Sequence, residues 1–221
     1  MRDIWFIRHG ESTANAGGVT FDTTTVELTE LGHRQAQDVS FSFDRAPDLV
    51  VMTPYLRTQQ TAHYTLQRFP DVPQEIWQLH ELRCLSHANY RGTTQAQRAP
   101  LVRAYWHRRD PSYHDGEGAE TFTDFVSRIE MSLEKLKMRP EKFIAIFCHG
   151  HVMRVMRLLL ARPQLSPADI MELMLDHSRN TPVQNCEIMR LSVKDKKIEL
   201  HPDDLSTFEE RFNPSPQAIC R

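Results

Sequence analysis

The chain has 221 residues, with 27 Lys and Arg against 29 Asp and Glu for a formal net charge of -2. That length suits one compact domain with a sizeable core, and the near balance of charge excludes a whole-molecule attraction to nucleic acid or to an anionic membrane. Any anion site must therefore be local. Cys84, Cys148, Cys186 and Cys220 lack paired spacing, the N-terminus lacks the apolar core of a secretory signal, and no run approaches the ~18 apolar residues of a membrane span. Reduced thiols in a soluble, cytoplasmic protein are the expectation.

In chain order, "DIWFI", "DLVVMTP" and "FIAIFCHG" are short apolar runs that end in polar or turn residues, the pattern of parallel strands buried on both faces. Helical patterns lie between them. "TELGHRQAQDVSFSF" offers Thr29 as a cap, "PYLRTQQTAHYTLQRF" opens with Pro54, and "TFTDFVSRIEMSLEKLKM" repeats apolar residues at helical spacing through Phe122, Phe125, Ile129, Leu133 and Leu136. Residues 84–118 break the rhythm and read as an irregular insertion over the strand ends, where specificity is shaped. After "HVMRVMRLLLARP" and "SPADIMELMLD", the alternating "NCEIMRLSV" and "KIELHP" read as an antiparallel closing hairpin, and residues 203–221 as a surface tail. The order of elements predicts one α/β domain over 1–221, a three-layer α/β/α sandwich with a mostly parallel sheet.

In open α/β sheets, ligands bind beyond the carboxyl ends of the strands. Arg8 and His9 follow "IWFI", His149 follows "FIAIFC", and Arg57 lies just beyond "VVMTP" in the first turn of a helix. Parallel strands would gather all four on one rim. Two guanidiniums and two imidazoles near a helix N-terminus make a pocket for a dianion, because Arg forks bind phosphate bidentately and keep their charge.

"RHGES" followed by Asn15, then "LTELGHRQA", "TPYLRTQQTA", "GEGAETFTDFVSRI" and "CHGHVMR" resembles, in motif and order, the histidine phosphatase superfamily, also called the phosphoglycerate mutase-like family. The resemblance covers roughly residues 1 to 195. It implies phosphoryl transfer through a phosphohistidine on His9, with Arg8, Arg57 and His149 clamping the equatorial oxygens. It also implies that Asn15 hydrogen-bonds phosphate, and the backbone N–H groups of Gly150 and His151, which open a helix, can do likewise. Glu81 in "QLHELRCLS" matches the place of the family's acid/base, with Asp115, Glu117 and Glu120 as rivals. The expected partner is a phosphomonoester, either a small molecule or a phosphoprotein, with no cofactor and no metal. The oligomeric state is left open.

Other readings weigh less. His149-Gly150-His151 is an HxH triplet, but two Arg in the pocket would repel a cation. Cys148 belongs to an unbroken apolar run and reads as core. "RAYWHRRD" reads as a solvated amphipathic helix of the insertion rather than a base-stacking surface. A non-catalytic phospho-ligand module would need the same pocket without its chemistry. A mutase would carry a Trp just before the first-motif Asn and a Gly-Trp segment after it, whereas here Ala14 precedes Asn15 and "GGVTFDTTTVELTELG" has no Trp. This departure favours hydrolysis over mutase transfer.

Overall fold

A computed structural model describes residues 1–177, 182–202 and 204. Four strands form the parallel core of the sheet: β1 (Arg2–Arg8), β2 (Leu49–Met52), β3 (Gln74–Ile76) and β4 (Phe143–Cys148). β5 (Ile188–Lys194) and β6 (Lys197–Leu200) form the expected hairpin, and β5 pairs antiparallel with β1, so the sheet is mixed, in the order β3-β2-β4-β1-β5-β6.

The strand period of two splits the core into two layers. Ile4 and Phe6 of β1, with Ile144 and Ile146 of β4, face α5 (Phe122–Lys137), α6 (Gly150–Ala161) and α7 (Pro167–His177). Ile7, Ala145 and Phe147 face the opposite layer, where α1 (Glu30–Ser40) contributes Val39 and α2 (Leu56–Arg68) contributes Ala62. This is the expected α/β/α sandwich. β4 is buried at all six positions, and each large apolar side chain so removed from water contributes roughly 1.5–3 kcal/mol.

Helix starts follow local chemistry. Thr29 caps α1 by accepting from the Gly32 N–H at 3.0 Å, and Thr121 caps α5 from the Asp124 N–H at 3.0 Å. α2 begins at Leu56 with Tyr55 as its cap position, two residues later than Pro54 suggested. The region 84–118 is more regular than the sequence implied. It holds α3 (His87–Tyr90) and α4 (Gln95–Arg108), the latter opened by a Thr94/Gln97 capping box. "RAYWHRRD" does lie largely on a helix whose Arg103, Ala104, His107 and Arg108 are exposed as expected, while Tyr105 and Trp106 are buried in the core beside Phe122. The expected tail, 203–221, lies outside the described residues apart from Asp204. No helix among the described residues is long and apolar enough to cross a membrane.

Candidate active site

Register builds the site. In the parallel β1–β4 pairing Arg8 lies opposite Cys148, so the next residues of both strands, His9 and His149, leave the sheet side by side with ring centroids 5.3 Å apart. The backbone is held there as His9 N–H donates to Cys148 O at 3.0 Å. Both rings are buried, at 3% and 0% exposure. Beneath the Arg8-His9-Gly10 turn the chain runs so close to α1 that a methyl group on Gly10 would strike the Gly32 carbonyl, and one on Gly32 would strike the Glu11 carbonyl. That contact explains the glycines in both motifs.

The hydrogen bonds settle the tautomers. His9 Nδ1 lies 2.7 Å from Gly10 O, and a carbonyl only accepts, so Nδ1 carries the proton and Nε2 keeps its lone pair. For His149, Arg57 Nη2 donates to Nδ1 at 3.2 Å, which leaves the proton on Nε2, donated to Thr53 Oγ1 at 3.0 Å. His149 holds the N-cap position of α6, yet its side chain caps nothing and turns to these partners instead. Burial first, then the Arg57 and Arg8 charges, holds the His9 pKa well below the ordinary imidazole value; burial, Arg57 and His9 do the same to His149. Both rings are therefore neutral at pH 7.

The two Arg are tied from opposite sides. Arg8 Nη1 donates to Val183 O at 2.6 Å, and its buried Nε has no partner among the described residues. Arg57 Nη1 donates to Thr23 O at 2.8 Å, and its guanidinium lies 4.7 Å from the centre of the Tyr55 ring. No carboxylate lies within 4 Å of either guanidinium among the described residues, which leaves both available to an anion.

Glu81 reaches the same place from the chain after β3. Its Oε1 accepts from the His151 N–H at 3.2 Å and from His151 Nδ1 at 3.0 Å. Burial pushes the carboxyl up, but His151, Arg57 and Arg8 outweigh it and hold the pKa at about 2. The His151 N–H expected on phosphate is thus directed at Glu81. The His151 ring stacks on Trp106 of α4, with centroids 5.9 Å apart. A cavity of about 640 Å³, lined by Glu81, His151, Trp106 and Arg98 among others, opens beside the carboxylate, and a smaller one of about 90 Å³ joins Glu81 to Arg57.

A model of the histidine phosphatase superfamily (branch 1) matches residues 4–202. The chain belongs to this superfamily. Histidine-phosphatase-type hydrolysis of phosphomonoesters is the activity class that membership supports. The chain is 29% identical over 177 residues, covering 75% of this chain and 81% of the relative, to an adenosylcobalamin/alpha-ribazole phosphatase of Salmonella typhimurium (strain LT2). Among solved structures it is similar to the alpha-ribazole phosphatase of Shigella flexneri, with a TM-score of 0.67 and 25% identity over 90% of this chain and 94% of that one. It is also similar to a mycobacterial glucosyl-3-phosphoglycerate phosphatase, with a TM-score of 0.68 and 24% identity over 91% and 98%. The latter likeness speaks to the fold.

At this candidate site the structure brings together Arg8, His9, Arg57, Glu81 and His149. Asn15 stands beside them, its Oδ1 accepting from Ser12 N at 3.2 Å and Ser12 Oγ at 3.0 Å, while its Nδ2 makes no hydrogen bond among the described residues. The rival carboxylates are engaged elsewhere: Asp115 accepts from Ser86 N and Asn89, Glu120 is paired with Arg128 at 3.0 Å, and Glu117 lines neither cavity. No group of three or more His, Cys, Asp or Glu that could hold a metal occurs among the described residues. Cys148 is fully buried, and burial pushes its thiol up, which disqualifies it as a nucleophile.

Some supporting residues escaped the sequence. Thr53, directly after β2, carried a signal in its place at a strand end. Asn185, whose Nδ2 donates to His9 O at 2.9 Å, and Thr61, whose Oγ1 accepts from Gly10 N–H at 3.1 Å, carried none, because their roles exist only once distant segments meet.

Proposed function

We propose that this histidine phosphatase hydrolyses phosphomonoesters through a phosphohistidine on His9. The observation that carries the reading is the state of the His9 ring: neutral, with Nδ1–H given to Gly10 O and the Nε2 lone pair left to attack phosphorus. In the first half-reaction the Nε2–P bond forms as the ester P–O bond breaks in line. Arg8 and Arg57 hold the charge on the equatorial oxygens. A phosphate oxygen is a stronger acceptor for Arg57 than the His149 nitrogen it now meets, because the bond becomes charge-assisted. Once Arg57 turns to phosphate, the Thr53 hydroxyl can donate to His149 Nε2, and Nδ1 then presents an N–H to an oxygen. Asn15 Nδ2 and the Gly150 N–H complete the cradle.

Glu81 is the acid/base of this reading. At about 2, its pKa makes it a carboxylate before substrate arrives, and the like charge of the incoming phosphate pushes the value back up. The ester brings the proton: with a second pKa near ~6, roughly a tenth of it is monoanion at pH 7. Glu81 takes that proton, delivers it to the leaving oxygen, and as a carboxylate then accepts a proton from the water that attacks the phosphohistidine. Water rather than a second acceptor takes the phosphoryl group, a choice supported by the first-motif region, which lacks the Trp-bearing segments of a mutase. A stoichiometric, acid-labile and base-stable phosphoenzyme on rapid quench tests the proposal. Near-wild-type turnover by His9→Ala would overturn it.

A further inference from the structure

Arg98 sits in the first turn of α4, where the Thr94/Gln97 capping box fixes the backbone. It is 4% exposed. Its Nη1 donates to Thr93 O at 2.6 Å and Thr93 Oγ1 at 3.1 Å, and its guanidinium lies 4.0 Å from the centre of the Tyr90 ring. The Nη2 and Nε edges make no hydrogen bond among the described residues, and Arg98 lines both cavities at the site together with Glu81.

A buried guanidinium normally has an acidic partner, because removing an unpaired charge from water is costly. Arg157 has one, donating to Glu187 at 2.7 Å. Arg98 has none within 4 Å among the described residues, a state it shares with Arg57, whose anion is the phosphate of the substrate. Glu81 is the single carboxylate lining either cavity among the described residues, and it is engaged by His151. Besides the neutral phenols and thiol of Tyr55, Tyr90 and Cys84, the remaining charged or titratable side chains there, including Arg83, His87, Arg103 and His107, are basic. The walls between them, Leu82, Tyr90, Val102 and Trp106, are apolar or aromatic.

We propose that Arg98 is a specificity residue that binds a second anionic group, a carboxylate or another phosphate, carried on the leaving-group side of the phosphomonoester. The inference rests on the phosphatase reading for the meaning of "leaving group". The Tyr90 face and the Thr93 oxygens hold the guanidinium flat and leave its remaining edge as a preformed fork. The neighbouring basic residues favour the same sign of charge, and the apolar walls take the body of the leaving group.

The test uses the 2-, 3- and 4-carboxyphenyl phosphates, each matched with its carboxamide, which has the same shape without the charge. Their binding to His9→Ala protein, which cannot form the phosphohistidine, is measured by calorimetry, and kcat/KM is measured with the active enzyme. At least one carboxylate isomer should bind about tenfold more tightly than its amide, in line with a charge-assisted hydrogen bond. That preference should fall to about one with Arg98→Gln added and survive in part with Arg98→Lys, while phenyl phosphate binds all three forms alike. No preference for any carboxylate, or a preference undiminished in a folded Arg98→Gln protein, overturns the proposal. Should Arg98→Gln fail to fold, the wild-type Arg98 background decides by the presence or absence of the preference and the Lys form by its retention. Failure of the active enzyme to hydrolyse any of these esters would instead count against the phosphatase reading, because the binding arm does not depend on turnover.

Discussion

Acidification should destabilise the protein through the two buried imidazoles, and the size of the effect can be worked from their surroundings. His9 and His149 are 3% and 0% exposed, and both have pKa values held well below the ordinary one by burial and by Arg57. In the unfolded chain each titrates near ~6.5. A group whose folded pKa is depressed lets the unfolded state bind more protons as pH falls below that value, so stability is complete above about 6.5 and is lost on going down. Between pH 7 and 5.5, with the folded ring still neutral, each histidine costs about 1.3 kcal/mol by the linkage relation, or about 2.5 kcal/mol together. For a chain of this size that is roughly 3–5 °C in Tm per histidine. Chemical denaturation of wild type and His149→Gln at both pH values isolates one of the two: the variant is less stable throughout, but its loss on acidification should be smaller by about 1.3 kcal/mol. An identical loss in both proteins would show that His149 titrates normally, and would refute the claim that its environment keeps it neutral.

Glu81→Gln should depress turnover of alkyl phosphates far more than that of 4-nitrophenyl phosphate, by a factor on the order of 10²–10⁴, because only the poor leaving group needs the proton; equal losses would assign Glu81 to binding. Inorganic phosphate should appear in step with ester consumed, and 3-phosphoglycerate should scarcely convert to 2-phosphoglycerate even with 2,3-bisphosphoglycerate as primer; rapid conversion without phosphate release would make the enzyme a mutase. Gly32→Ala should destabilise the fold by about 3 kcal/mol, since the added methyl meets the Glu11 carbonyl, and should lower turnover by displacing the turn that carries His9; a variant of wild-type stability in denaturant would contradict the close contact.

Much of the fold was legible in the chain. β1, β2 and β4 announce themselves as apolar runs because a strand covered on both faces has no polar side to show, and the alternation in "NCEIMRLSV" marks β5 as a strand with one less-buried face. The residues proposed as nucleophile and clamp were visible for the same reason: polar groups placed at the ends of buried strands interrupt an apolar run abruptly, as Arg8, His9 and His149 do. The 84–118 region was not legible as regular structure. Its α4 mixes charged and aromatic residues around the helix, and the burial of Tyr105 and Trp106 depends on Phe122 and the other groups they meet across the fold.

The chain's own order of residues decided which groups stand at the strand ends, since strand and helix periods are local properties set by side-chain size and polarity. Tertiary structure alone decided their chemical states. His9 is a neutral ring with its lone pair on Nε2 because Gly10 O lies within 2.7 Å of Nδ1 and two guanidiniums close around it. Glu81 is ionised because α6 presents the N–H and the ring of His151 to one oxygen. Burial, desolvation and hydrogen-bond direction depend on what distant segments bring within a few ångströms, and that is a property of packing rather than of sequence spacing.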